Sequence, residues 1–203
     1  MMEITTLSRS EQKRQQIIVA ATTLFMEKGF IHTSMDQVAK LAGVSKQTVY
    51  SHFQDKNNLF VETITAHCSS SNLRKEMYRS EQTVSQNLLR IVTSFVGLVF
   101  SPEALRVFDI CVVHKEDYPE LGALFFEAAP RIVLEQIEAC LAELDEKKLL
   151  RVDNPQFATF QLLGMVQGDW KMRHALGVVK ANDVPTQAYL EDCVERFIKA
   201  YSE

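Results

Sequence analysis

The amino-acid sequence predicts an all-α fold in which a small N-terminal part of three short helices is joined to a larger part built from longer helices. Three observations predict it. Apolar residues recur at spacings of three and four rather than two. Glycine and proline, 7 and 5 in 203 residues, stand where helices would begin or end. Helix-start signals crowd together before residue 60 and spread out after residue 80.

The first stretch, RSEQKRQQIIVAATTLFMEKGF, puts Ile17, Ala21, Leu24 and Phe25 on one stripe, with Ser10 as N-cap and Gly29 as a terminal residue able to take positive φ. Ser34 followed by Gln37 has capping-box spacing and opens a second helix of about eight residues, whose apolar face is Met35, Val38, Ala39 and Ala42 and whose end is Gly43. Ser45 caps a third helix to about His52. Asp55 caps a fourth, longer one that buries Leu59, Phe60, Thr63, Ile64 and His67. Beyond residue 80, TVSQNLLRIVTSFVGLVF reads as a helix, Ser101-Pro102-Glu103 starts another, and Tyr118-Pro119 breaks the chain again. From Pro119 a long helix runs toward Lys148, kinked or divided at Pro130. Asn154-Pro155 starts the next, carrying Lys171, Arg173 and His174 near its negative end and stopping at Gly177. A last helix starts near Pro185. The boundary is expected at residue 56, giving domains of 1–56 and 57–203.

The composition, 46% apolar and 24% charged, is that of a soluble globular chain. The longest apolar-rich run, Phe95 to Phe100 after Ile91 and Val92, falls well short of the ~20 residues a bilayer requires, and the N-terminus lacks the order of a signal peptide, so a cytoplasmic protein is expected. Cys68, Cys111, Cys140 and Cys193 are far apart with no C-x-x-C, which points to buried free thiols and to no metal site. No Glu-x-x-His, His-Glu-x-x-His or glycine-rich phosphate loop occurs, so neither catalysis nor a cofactor is expected. The net charge of −4 is uneven: residues 1–60 hold seven Lys/Arg against five Asp/Glu, and the remainder fifteen against twenty-one. Only the N-terminal part can approach a phosphate backbone without a repulsive penalty.

In AGVSKQTVYSHFQDK the polar residues crowd onto two helical turns while Val44, Val49 and Phe53 interrupt them. Gly43 permits a tight turn, and Val44 with Val38, Ala39 and Val49 locks two short helices at a fixed angle, as in a helix-turn-helix. A helix over Ser45–His52 is about 12 Å long, the width of a DNA major groove. Gln47 can pair with adenine, Lys46 can reach guanine or a phosphate, and Thr48 can meet thymine. Thr33, Ser34, Ser45, Tyr50, His52 and Lys56, at helix ends, suit flanking phosphates. The same residues could also form an ordinary solvated face.

The run from about Ala20 to Leu59 resembles the N-terminal domain of TetR-type transcriptional regulators. Phe25, Gly29, Phe30, Thr33, Ser34, Val38, Ala39, Ala42, Gly43, Val44, Ser45, Tyr50, Phe53 and Lys56 match the pattern. The resemblance implies that Thr33, Lys46, Gln47, Thr48, Tyr50, His52 and Lys56 face double-stranded DNA carrying a palindromic operator. Gln47-Thr48 departs from the glycine and small residue frequent in the family, which bears on the bases read. EDYPELGALFFEAAP is similar to one subset of the family whose regulators answer to apolar or amphipathic small molecules, although His114 stands where an acidic residue is usual.

The resemblance also implies that the second domain binds a small-molecule effector and forms a homodimer. Phe95, Val99, Phe108, Cys111, Phe125, Phe126, Phe160, Met165 and Trp170 recur at helical spacing as candidate pocket residues, with His67, His114 and His174 as polar handles; ordinary core would use the same pattern. Gly164 and Gly168, four apart, suit close approach of another backbone, and Leu190, Val194, Phe197 and Tyr201 form a stripe for a partner, unless both stripes pack within one subunit. Two reading helices 34 to 36 Å apart would engage a palindrome, and an effector that swings the fourth helix would abolish simultaneous docking. The competing readings are a ligand-independent DNA-binding dimer and one controlled by a protein partner.

Overall fold

The computed structural model describes residues 8–70, 79, 81–180 and 183–202, with side chains 67–70 outside the description. The burial expected of His67 and Cys68 therefore falls outside the described residues. Among the described residues there are helices and connections and no strand. The helices are α1 (Arg9–Lys28), α2 (Met35–Ala42), α3 (Lys46–His52), α4 (Lys56–Ser70), α5 (Val84–Val99), α6 (Pro102–Val113), α7 (Pro119–Ala128), α8 (Pro130–Glu146), α9 (Pro155–Gln167), α10 (Trp170–Ala175) and α11 (Gln187–Tyr201). By internal packing they fall into two compact units that are not divided by a single cut in the sequence. Of the described residues, the first unit holds those up to His67 together with Ile110–Ala128, and the second holds those of Cys68–Asp109 together with those from Ala129 onward.

In the first unit, α1 packs on α2 and α3, and α2 on α3. α1 starts two residues earlier than the Ser10 reading, because Ser8 accepts from the Glu11 N–H while Glu11 accepts from the Ser8 N–H, a reciprocal pair unavailable to Ser10. Its buried face, Ile17, Ile18, Ala20, Ala21, Leu24 and Phe25, ends at Gly29 with φ 78°. Phe25, Phe30 and Phe60 close the interior as a three-ring cluster with centroids 5.0 to 5.7 Å apart, one pair stacked and two edge-on.

The second unit is built around an apolar core from α5, α8, α9 and α11, including Leu88, Ile137, Leu141, Leu144, Leu162 and Phe197. There α9 packs on α8, α5 and α11, and α11 on α5. Pro130 divides the long helix rather than kinking it: α7 stops at Ala128 and Pro130 becomes the first residue of α8, where its missing N–H needs no partner. The helix expected to run from Asn154-Pro155 to Gly177 is also two helices. Gly168, at φ 49° and ψ −133°, ends α9 by donating its N–H to the Gly164 carbonyl, and α10 forms a separate short helix before Gly177. No helix among the described residues is long and apolar enough to cross a membrane.

Candidate nucleic-acid interface

The two short helices α2 and α3 are held by their ends. Ser34 accepts from the Gln37 N–H while the Gln37 side chain accepts from the Ser34 N–H at 3.0 Å, so α2 begins on a complete capping box. Gly43 takes φ 67° and returns its N–H to the end of α2, and the Val44 N–H reaches the Ala39 carbonyl at 3.1 Å. Ser45 then accepts from the Thr48 N–H at 3.1 Å and opens α3. α3 buries only Val49, and Phe53 closes it from below. Anchored at that single interior position, α3 turns its other side chains outward.

Lys46, Gln47, Tyr50 and Ser51 are exposed, and Thr48 and His52 are half-buried. The Thr48 and Ser45 hydroxyls lie 2.8 Å apart, so both are already engaged at the cap. The Lys46 ammonium bonds the Asp36 carboxylate at 2.7 Å and stands 5.9 Å from the Tyr50 ring centre. Hydrogen bonding to Asp36, reinforced by its charge, raises the Lys46 pKa. Asp36 is a site neighbour that sequence patterns missed: ten positions away and on another helix, it lies outside any local spacing rule.

Two expected phosphate contacts are placed elsewhere. Thr33 is 2% exposed, with its hydroxyl 2.8 Å from the Gly29 carbonyl and 3.2 Å from that of Leu24, so it ties the α1–α2 connection from inside. Lys56 donates to the Phe30 carbonyl at 3.0 Å and lies 4.2 Å from the centre of the Phe30 ring. Burial lowers its pKa. Both serve the base of the reading unit in this structure, whereas Ser34 remains exposed at the start of α2. Arg14, another residue without a local signal, donates to Glu62 at 2.6 Å and covers the Phe53 ring, joining α1 to α4 beneath the end of α3.

The candidate pocket residues are spread over both units. In the first, Cys111 is buried with its thiol toward the Leu121 carbonyl, and burial pushes its pKa up to about 11. His114 lies edge-on to Tyr118, while Phe126 is exposed. In the second unit, Phe95 belongs to the core, with Val99, Met165 and Trp170 packed against it. Phe108 lies beneath the Lys171 ammonium, and His174 beside Phe100. No group of three or more His, Cys, Asp or Glu among the described residues could hold a metal ion.

The stripe expected to face a partner is interior. Leu190, Val194 and Phe197 are buried in the second unit's own core, and Tyr201 stacks on Phe197 and donates to Gln161 at 2.6 Å. The 3.6-residue period located the face correctly but could not distinguish an internal neighbour from an external one. Gly168 is a helix terminus, with the Tyr189 hydroxyl 3.2 Å from where its Cβ would stand, rather than part of a flat helical surface. Gly164 is exposed, with nothing within 4 Å of a Cβ position.

Residues 17–63 match the model of bacterial regulatory proteins of the tetR family, and residues 86–203 match that of the AefR-like transcriptional repressor C-terminal domain. The HTH-type transcriptional regulator AcrR of Shigella flexneri is 27% identical over 157 residues, 73% of this chain and 71% of that protein. Among solved structures, a TetR-family transcriptional regulator from Mesorhizobium loti MAFF303099 superposes with a TM-score of 0.80 at 26% identity, covering 97% of this chain and 100% of that one. The flavonoid-responsive regulator FrrA does so with 0.76 at 29%, covering 95% and 98%.

Proposed function

The chain belongs to the TetR family of transcriptional regulators, DNA-binding proteins rather than enzymes, and from that premise we propose that it is a cytoplasmic, homodimeric repressor released from a palindromic operator by a small apolar or amphipathic effector. The observation that carries this reading is the pair of capped helices around Gly43, which presents Lys46, Gln47 and Tyr50 on one anchored helix. Gln47 reads a base edge, and Lys46 contacts a guanine or a phosphate after exchanging Asp36 for it. Tyr50 and the exposed start of α2 at Ser34 fasten the flanking backbone.

The dimer forms through the outward side of α9, where Phe157, Phe160 and Gly164 recur at helical spacing; Phe157 is 59% and Phe160 50% exposed. This replaces Leu190, Val194 and Phe197 as the proposed partner face. Small-molecule control is supported by the likeness to the flavonoid-responsive regulator FrrA. An effector acts by favouring the arrangement in which the two reading helices do not match successive grooves, and α4, beginning at Lys56, is the element that moves them.

The test is a footprint on DNA upstream of the chain's own coding region, with a mass measurement on the purified protein in parallel. Symmetric protection by a species of twice the chain mass is expected, with protection lost on adding the effector. A monomer at working concentration, or unchanged protection by Gln47→Ala at every base, would sink the reading.

A further inference from the structure

We infer that Lys171 and His174 form the polar end of the effector site, and that the effector is an amphipathic molecule with an anionic head, of the carboxylate class. The inference rests on the effector-controlled reading above and names the chemistry of that effector. The two residues are three apart on α10 and therefore share a side of it. Each meets a phenylalanine: the Lys171 ammonium is 4.3 Å from the Phe108 ring centre, and the His174 ring is 5.4 Å from that of Phe100.

Elsewhere in this unit the cations of Lys147, Arg173, Arg196 and Lys199 have carboxylates to bond, namely Glu143, Asp169, Asp192 and Glu195. Lys171 is half-buried, yet no carboxylate or other acceptor among the described residues is within bonding distance of its ammonium. Burial lowers its pKa, and the charge of Asp109 only partly opposes that. A benzene ring offers a cation its negative face but accepts no conventional hydrogen bond and neutralises no charge. An ammonium so placed has unused capacity for a charged acceptor.

His174 strengthens the case. Its Nε2 lies 2.7 Å from the Asp183 carbonyl, which fixes Nε2 as the protonated nitrogen and leaves Nδ1 uncommitted. The arrangement thus combines a cation, an imidazole packed on the core ring of Phe100, and the half-buried ring of Phe108. A carboxylate seated on Lys171 would keep the apolar body of the same molecule against Phe108. A neutral effector would leave the ammonium without an acceptor, and a cationic one would be repelled by it.

Trp170, the single tryptophan of the chain, adjoins Lys171 and reports on the site in the full-length protein. Its emission is titrated with dodecanoate, dodecanol and dodecyltrimethylammonium below their micellar concentrations, alongside release of the protein from its upstream DNA. Dodecanoate is expected to give the tightest saturable change and to release the DNA. Lys171→Met, which keeps an unbranched stem on Phe108, weakens dodecanoate about tenfold or more while leaving dodecanol unchanged. Lys171→Arg retains dodecanoate binding, and Asp109→Asn strengthens it.

Equal binding of dodecanol and dodecanoate, or dodecanoate binding indifferent to Lys171→Met, overturns the anionic assignment and leaves an effector-controlled repressor standing. If none of the three binds while footprinting still shows a DNA-binding dimer, the anionic-amphiphile inference falls and the DNA-binding reading survives. If DNA is not bound at all, both fall.

Discussion

The helices of the reading head start on side-chain caps at Ser34, Ser45 and Asp55, as α5, α9 and α11 of the second unit do at Thr83, Asn154 and Thr186, whereas α8 and α10 begin with none. The difference follows from how much each helix can bury. α3 has seven residues and one interior side chain; α8 has seventeen residues, five of them interior. A helix of two turns recovers little of the entropy spent on nucleation, so hydrogen bonds at its ends must supply what packing does not. α8 is held by the core and tolerates an uncapped start. α3 is therefore pre-organised by local polar geometry and α8 by burial, and the two should fail in different ways.

The largest effects should come from the interiors. Phe25→Ala removes a ring that touches both Phe30 and Phe60 and should lower stability by about 3 to 5 kcal/mol; Leu141→Ala in α8 should cost about 2 to 5 kcal/mol. Denaturant unfolding followed together with DNA binding would show whether DNA binding is lost first in the former. Next comes Gly43→Ala. No atom lies within 4 Å of the added Cβ, so the penalty is the backbone's alone, about 1 to 2 kcal/mol for a left-handed residue, seen as a lower unfolding midpoint.

Ser45→Ala should cost about 1 kcal/mol and weaken DNA binding more than it lowers the midpoint, since it frays the helix proposed to enter the groove. If affinity and midpoint are both unchanged, capping does not distinguish α3 from α8. Asp36→Asn should be smaller still in its effect on stability, because the pair with Lys46 is exposed and screened by solvent. It should nevertheless raise DNA affinity at low salt by freeing Lys46. Last, native protein treated with iodoacetamide near pH 8 should leave Cys111 unlabelled in peptide mapping, as its thiol titrates at about 11 and is buried.

Much of this fold can be read from the chain because its signals are local. Ser34, Gln37, Gly43, Ser45, Asp55, Pro102 and Asn154 all act within four residues of themselves, and each sits where its chemistry places it. The outward set on α3 is equally legible, since one buried position defines the opposite face. Periodicity reports that a face is apolar but not what covers it, so Leu190, Val194 and Phe197 could be assigned to a partner when their neighbours are α5 and α9. Likewise a threonine and a lysine beside a DNA-reading helix look like phosphate contacts until the carbonyls of Gly29 and Phe30 are found to hold them. Gly168 is ambiguous for a related reason: a glycine that ends a helix and one that flattens its surface look alike in sequence.

Val49 has a consequence for how such a regulator changes over time. With a single interior position in α3, the outer residues at 46, 47, 50 and 51 can be exchanged while the scaffold keeps its shape. New operator preferences can therefore arise one letter at a time without passing through misfolded intermediates. Variation among close descendants should concentrate at those outer letters and spare the anchor.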